Sequence, residues 1–85
     1  LQRFGLDAES VLARNPRAVY CSITGFGSTG EGAAMPGYDF LVQALGGLMS
    51  ITGDAGGEPR KVGVAMVDLL AANHAAMGVL AALLQ

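Results

Sequence analysis

The last 22 residues, Val64 to Gln85, are apolar almost throughout, and the single charge inside them limits what they can become. Asp68 is the only formal charge between Lys61 and Gln85. A run of this length reaches the range of a membrane span. A carboxylate near mid-membrane, however, costs roughly 2.5 to 3.5 kcal/mol on insertion scales. Asn73 and His74 add further polar groups, whereas Ala65, Ala71, Ala72, Ala75, Ala76 and Gly78 let neighbouring backbones approach closely. The segment is therefore expected to be a helix buried in a soluble protein, with no membrane role. Asp68 must then either be satisfied by the protein or be used by it. From the residues alone, accepting backbone N–H bonds near the helix start and acting in catalysis both stand open.

Eighty-five residues suffice for one small domain, and small domains bury proportionally little surface. The chain is nevertheless 52% hydrophobic and 14% charged, begins at Leu1 and ends within an apolar run. Residues 1–85 are accordingly expected to be a fragment, incomplete at both ends. A net charge of -2 and dispersed Arg3, Arg14, Arg17, Arg60 and Lys61 argue against a nucleic-acid partner, which needs clustered basic residues. The lone Cys21 cannot form an internal disulfide, and its VYCSI setting predicts a buried strand residue in a reducing, intracellular protein.

Along the chain, Asp7 is a suitable N-cap for a short helix, AESVLAR, closed by Asn15 and Pro16. RAVYCSI then has the β-branched and aromatic content of a strand, and its near-continuous apolar character predicts one covered on both faces, as in a parallel α/β sheet. Thr24 to Pro36 is glycine-rich and reads as a loop. Phe40, Leu41, Ala44, Leu45 and Leu48 have helical spacing within about Tyr38 to Met49, although Gly46 and Gly47 weaken a helix there by about 1 kcal/mol each. Ile51 to Gly63 is turn-rich, and a final helix is predicted from Gly63 or Val64. This order predicts part of an α/β fold.

Gly25, Gly27 and Gly30 spell G-x-G-x-x-G directly after the predicted strand, where a dinucleotide fingerprint belongs. Such a fingerprint must open a helix whose N-terminus holds the pyrophosphate. Residues 31–37, EGAAMPG, will not sustain that helix, and no ribose-binding acid lies about 20 residues later. A turning loop is the better reading. One His and one Cys without a paired cluster predict no metal site.

Read as one unit, CSITGFGSTG followed by PGYDFLVQALGGLMSITGDAGGEPRKVGVAMVDLLA resembles the family III CoA-transferases (CaiB/BaiF type). This superfamily includes formyl-CoA transferase, carnitine CoA-transferase and the α-methylacyl-CoA racemases. The resemblance covers nearly the whole chain. It implies a piece of the Rossmann-like α/β large domain, in a protein whose two chains interlock as a homodimer. Family members carry Tyr or His in a G-[YH]-D segment and an acid thirty positions later, a pairing matched here by Tyr38 and Asp68. Asp68 is thus implied to be the catalytic nucleophile, attacking an acyl-CoA thioester to form an aspartyl-acyl anhydride. Met35, Pro36, Gly37 and Tyr38 are implied to line the CoA site.

The resemblance further implies coenzyme A and acyl-CoA as substrates, no prosthetic group, and a carboxylic acid as acceptor. Dicarboxylate donors such as succinyl-CoA are favoured by analogy. Racemase-type proton transfer is the enzymatic alternative, although that branch uses His where Tyr38 stands, and tyrosine is the poorer base at neutral pH. A non-catalytic acyl-CoA binder is a further alternative. Ala72 stands where many relatives have glycine, implying less room beside the thioester. His74, six residues after Asp68 and about 600° round the helix, is expected to be a hydrogen-bonded helix residue. Met49, Met66 and Met77 are expected to fill a core. Arg60 and Lys61 are expected to be solvated loop charges. The expected location is the cytoplasm, or the mitochondrial matrix or peroxisome in a eukaryote.

Overall fold

A computed structural model describes residues 1–85 as three α-helices joined by irregular segments and single 3-10 turns. We label them α1 (Ala8–Arg14), α2 (Asp39–Leu45) and α3 (Met66–Leu83). The 3-10 turns are Gln2–Phe4, Glu31–Ala34 and Leu48–Ile51.

Local signals set α1. Asp7 Oδ1 accepts the Ser10 N–H at 3.0 Å, and the Ser10 hydroxyl donates to Oδ2 at 2.8 Å. The backbone bond from Ser10, foremost, holds the Asp7 carboxyl below its ordinary range. At the other end Asn15 is extended, as the residue before Pro16 prefers to be.

The predicted strand does not form. Residues 19–24 make no backbone–backbone hydrogen bond; their hydrogen bonds are from the Tyr20 hydroxyl to the Leu6 carbonyl at 2.9 Å and from the Gly27 N–H to the Thr24 hydroxyl oxygen at 2.8 Å. A strand exists only by pairing, and these 85 residues hold no second strand-like run to supply a ladder. The α/β layering expected from the sequence is therefore not present within them, and Cys21 is exposed rather than buried.

α2 ends at Leu45, short of the predicted Met49. Gly46 closes it, and Gly47 turns the chain at φ 81°, a left-handed conformation that a Cβ disfavours. The glycine pair thus ends the helix rather than weakening its interior.

α3 starts at Met66, two or three residues later than predicted. It docks on α2, and the junction centres on Gln43, the one buried residue at 1% exposure. Gln43 Oε1 accepts the Val62 N–H at 2.9 Å, while Nε2 donates to Asp39 Oδ2 at 2.6 Å and to the Val64 carbonyl at 3.3 Å. Only this orientation of the amide works, because a backbone N–H faces one end and two acceptors face the other.

Val67, Ala71, Ala75 and Val79 form a half-buried stripe at i, i+4 spacing on α3. The rest of the helix is open, with Leu69, Leu70, Met77 and Leu80 about half exposed or more. Burial of α3 and of Met77 is thus not achieved within this chain, because no other element lies over that face; Met49 and Met66 are half-buried. The accessible surface is 6901 Å². A compact folded monomer of this mass would expose about 4,700 Å². The radius of gyration is 16.8 Å, against about 12 Å for a compact chain of this length. By length and composition α3 could cross a membrane, with mean hydropathy 1.5, but the stripe begun against α2 favours packing on protein.

Substituting Gln43→Leu keeps the volume similar but leaves the Val62 N–H and Val64 carbonyl without partners. We expect the full-length protein to lose about 2 to 4 kcal/mol of stability, read from urea unfolding. An unchanged urea midpoint would contradict this account of the junction.

Candidate functional site

The start of α3 lacks a cap of its own. Its N-cap residue, Ala65, has no side-chain acceptor, yet the first-turn N–H groups need one. Asp39, at the start of α2, supplies it across the junction. Its Oδ1 accepts the N–H of Val67 at 2.7 Å and of Asp68 at 3.2 Å. Desolvation pushes the Asp39 carboxyl up. The Gln43 amide, the Asp68 and Val67 N–H groups and the Lys61 charge together outweigh it, so the carboxyl sits below its ordinary value.

Asp68 is the third residue of α3 and is exposed. Its carboxylate accepts no hydrogen bond from the protein, so the capping role open to it in the sequence belongs to Asp39 instead. Asp68 lines a cleft of about 330 Å³. Val67 and Ala71 of α3, Val42 of α2 and Ile23 form its apolar part, and Thr24, Gly25 and Gly37 complete the lining from the loops.

Two loop segments meet there backbone to backbone. A Cβ placed on Gly37 would lie 2.5 Å from the Gly25 Cα and 2.8 Å from its nitrogen, so neither position has room for a side chain. The first glycine of G-x-G-x-x-G therefore serves close approach. The motif leads into a single 3-10 turn, Glu31–Ala34, and not into the helix a pyrophosphate site requires.

Of the residues expected at the site, Asp68 and Gly37 share the cleft. Met35, Pro36 and Tyr38 do not line it, and Tyr38 is 72% exposed. Ala72 does not line this cleft. Val67 and Ala71 are the α3 residues that line the cleft together with Asp68. His74 Nδ1 lies 2.7 Å from the Leu70 carbonyl, a helix-internal bond in which Nδ1 must carry the proton. The Arg60 stem packs by Gly53, and both Arg60 and Lys61 are exposed. No three His, Cys, Asp or Glu side chains come together as a metal site.

Asp39, Val42, Val67, Ala71, Ile23 and Thr24 were not singled out by the sequence. One signal for Asp39 was available: Asp39 and Gln43 stand four apart, hence on one face of an otherwise apolar helix.

The sequence matches the family model of CoA-transferase family III over residues 1–85. It is 48% identical over 84 residues to succinate–glutarate CoA-transferase of Agrobacterium fabrum, covering 99% of this chain and 21% of that protein. It is 44% identical over 85 residues to succinyl-CoA:glutarate CoA-transferase of Mus musculus, covering 100% of this chain and 20% of that one. The chain thus spans about a fifth of the length of these relatives. The fold is similar to the crystal structure of a CaiB/BaiF family protein from Brucella suis, with TM-score 0.92 and 46% identity over 99% of this chain and 22% of that one.

The depressed Asp39 carboxyl gives a pH signature. Because its folded value lies below the ordinary 3.8, its contribution to stability is present above that pH and is lost as pH falls through the folded value. Asp39→Asn in the full-length protein should lower the urea midpoint at pH 7, and the gap from wild type should narrow as pH is taken below 3.8. A gap that stays constant down to about pH 3 would remove the charged cap from the account.

Proposed function

Because the chain belongs to CoA-transferase family III, we propose that the full-length protein moves CoA between carboxylic acids, with Asp68 as the nucleophile. One observation carries the assignment of Asp68. It faces the cleft with its carboxylate uncommitted, while a second aspartate caps its helix.

In the proposed reaction an Asp68 oxygen attacks the carbonyl carbon of an acyl-CoA. The C–S bond breaks, leaving an aspartyl-acyl anhydride and the CoA thiolate. The thiolate attacks the aspartyl carbonyl of that anhydride, releasing the donor acid as its carboxylate and leaving an aspartyl-CoA thioester. The acceptor carboxylate attacks this thioester, which expels the thiolate again and forms a second anhydride. Attack of the thiolate on the acceptor's acyl carbon gives the new acyl-CoA and restores Asp68. Each step exchanges one acyl bond for another, so no proton has to be lost or gained overall. A carboxylate is a weak nucleophile, and the proposed chemistry therefore depends on positioning and on keeping water from the anhydride.

The relatives named for succinate and glutarate favour a short dicarboxylate pair, with succinyl-CoA as donor and glutarate as acceptor. Met35, Pro36, Gly37 and Tyr38 are proposed to meet the CoA arm. This is supported by Gly37 at the cleft and by its exposed neighbours on the same segment. We further propose that RAVYCSI pairs as a strand of a Rossmann-like large domain and that the open face of α3 is covered in an interlocked homodimer. The likeness to the Brucella suis protein and the unspent apolar surface support this reading.

The test is to incubate the full-length protein with succinyl-CoA and glutarate, trap with hydroxylamine and locate the adduct by mass spectrometry. A hydroxamate on Asp68 and glutaryl-CoA as product are expected. Asp68→Asn should cost at least about a thousandfold in transfer rate. No adduct on Asp68 during turnover would sink the covalent mechanism. Exchange of the α-hydrogen for deuterium without CoA transfer would select the racemase instead.

A further inference from the structure

An aspartate in the first turn of a helix has a competing occupation. The leading N–H groups have no intrahelical acceptors, the positive end of the macrodipole attracts anions, and a short acidic side chain can fold back onto nearby N–H groups. Asp68 is placed for this: Ala65 offers no cap, and the nearest available carboxylate on α3 itself is that of Asp68. A side chain folded into its own helix terminus would have its oxygens engaged and turned from the cleft.

The structure shows that terminus already taken. Asp39 Oδ1 receives the Val67 N–H at 2.7 Å and the Asp68 N–H at 3.2 Å, reaching across from α2. Its other oxygen is fixed by Gln43 Nε2 at 2.6 Å, and Gln43 is pinned by the Val62 N–H and the Val64 carbonyl. Both oxygens of Asp39 are therefore committed, through a residue that is itself 1% exposed. Asp68, whose own N–H is capped in this way, lines the cleft and has a carboxylate that accepts no hydrogen bond.

We propose that Asp39 is a positioning residue for Asp68: by occupying the first-turn N–H groups of α3, it keeps the Asp68 carboxylate out of its own helix cap and available in the cleft. The proposal rests on the reading of Asp68 as the nucleophile. It goes beyond that reading by assigning a task to a residue that need not touch substrate. Asp39 exerts its effect on the acylation step rather than on acyl-CoA binding, because the geometry it controls is that of the attacking oxygen.

The experiment uses the full-length protein with succinyl-CoA, measuring the single-turnover rate of Asp68 acylation by quenching and hydroxylamine trapping, together with KM for succinyl-CoA. Asp39→Leu removes both acceptor oxygens, and displacement of a reacting group by about 1 Å can cost about 100-fold, so a loss of that order in acylation is expected with KM within about twofold of wild type. Asp39→Asn keeps one acceptor oxygen but places a second amide donor against Gln43, and should fall between the two, at about a tenfold loss. A purely structural role would lower the active fraction and leave the rate per acylated site unchanged.

Wild-type labelling of Asp68 with variant rates equal to wild type overturns the positioning role alone. Absence of any Asp68 adduct in wild type overturns the nucleophile and the positioning role together. Where Asp39→Leu does not fold, Asp39→Asn decides: a fall in acylation rate at unchanged KM supports the proposal, and a wild-type rate overturns it.

Discussion

The Asp39 carboxylate joins two helices that neither sequence segment could hold in place alone. α2 has seven residues, too few for a stable isolated helix, and α3 starts on an alanine that offers no cap. Asp39 answers both deficits by sitting at the start of one helix and accepting the first-turn N–H groups of the other. Gln43, one turn along α2, ties the same carboxylate to the segment of chain leading into α3. The interaction that orients α3 is thus polar and half-buried, in a chain whose composition is dominated by apolar residues. Apolar burial is non-directional, whereas these bonds fix a register.

Features governed by neighbouring residues were legible in the sequence. Asp7 and the Asn15–Pro16 pair bound α1 as anticipated, and the residues after Gly30 do not sustain a helix. Features governed by distant residues were not. RAVYCSI has the composition of a strand but no partner in these residues, and Cys21 loses its expected burial with it. The same holds at the site. Asp68 stood out because a lone charge in an apolar run is a local property. Asp39 did not, because its role lies in bonds to residues 28 and 29 positions away. One local hint did exist, the i, i+4 spacing of Asp39 and Gln43.

The surface completes this picture. About 2,200 Å² more is exposed than a compact chain of this mass would show. Much of that surplus is aliphatic and lies on α3, beyond the stripe that begins against α2. In the relatives, about four fifths of the chain lies outside the matched part, and an apolar face of this kind is what such a remainder can pack upon. The cleft stands at the boundary between these regimes. It is floored by Val42, Val67 and Ala71, yet it is rimmed by glycine backbone and by Asp68.

Two aspartates flank the same helix terminus, and their hydrogen bonds separate what each can do. Asp39 receives the Gln43 amide and two backbone N–H groups, which spread and stabilise its charge and hold the carboxyl below its ordinary value. A carboxylate so engaged, with three hydrogen bonds accepted, is a poorer nucleophile than one free of donors. Asp68 accepts none of those bonds and opens onto the cleft. In the proposed chemistry the nucleophile must stay free of donors until the thioester arrives, because each donor would have to be released before attack. A nucleophile in the first turn of a helix can remain in that state only if another group answers the terminus. An aspartate from a second element does so, whereas an N-cap serine or aspartate would leave the orientation of α3 on α2 unspecified. One carboxylate thus fixes the architecture and leaves the other chemically available.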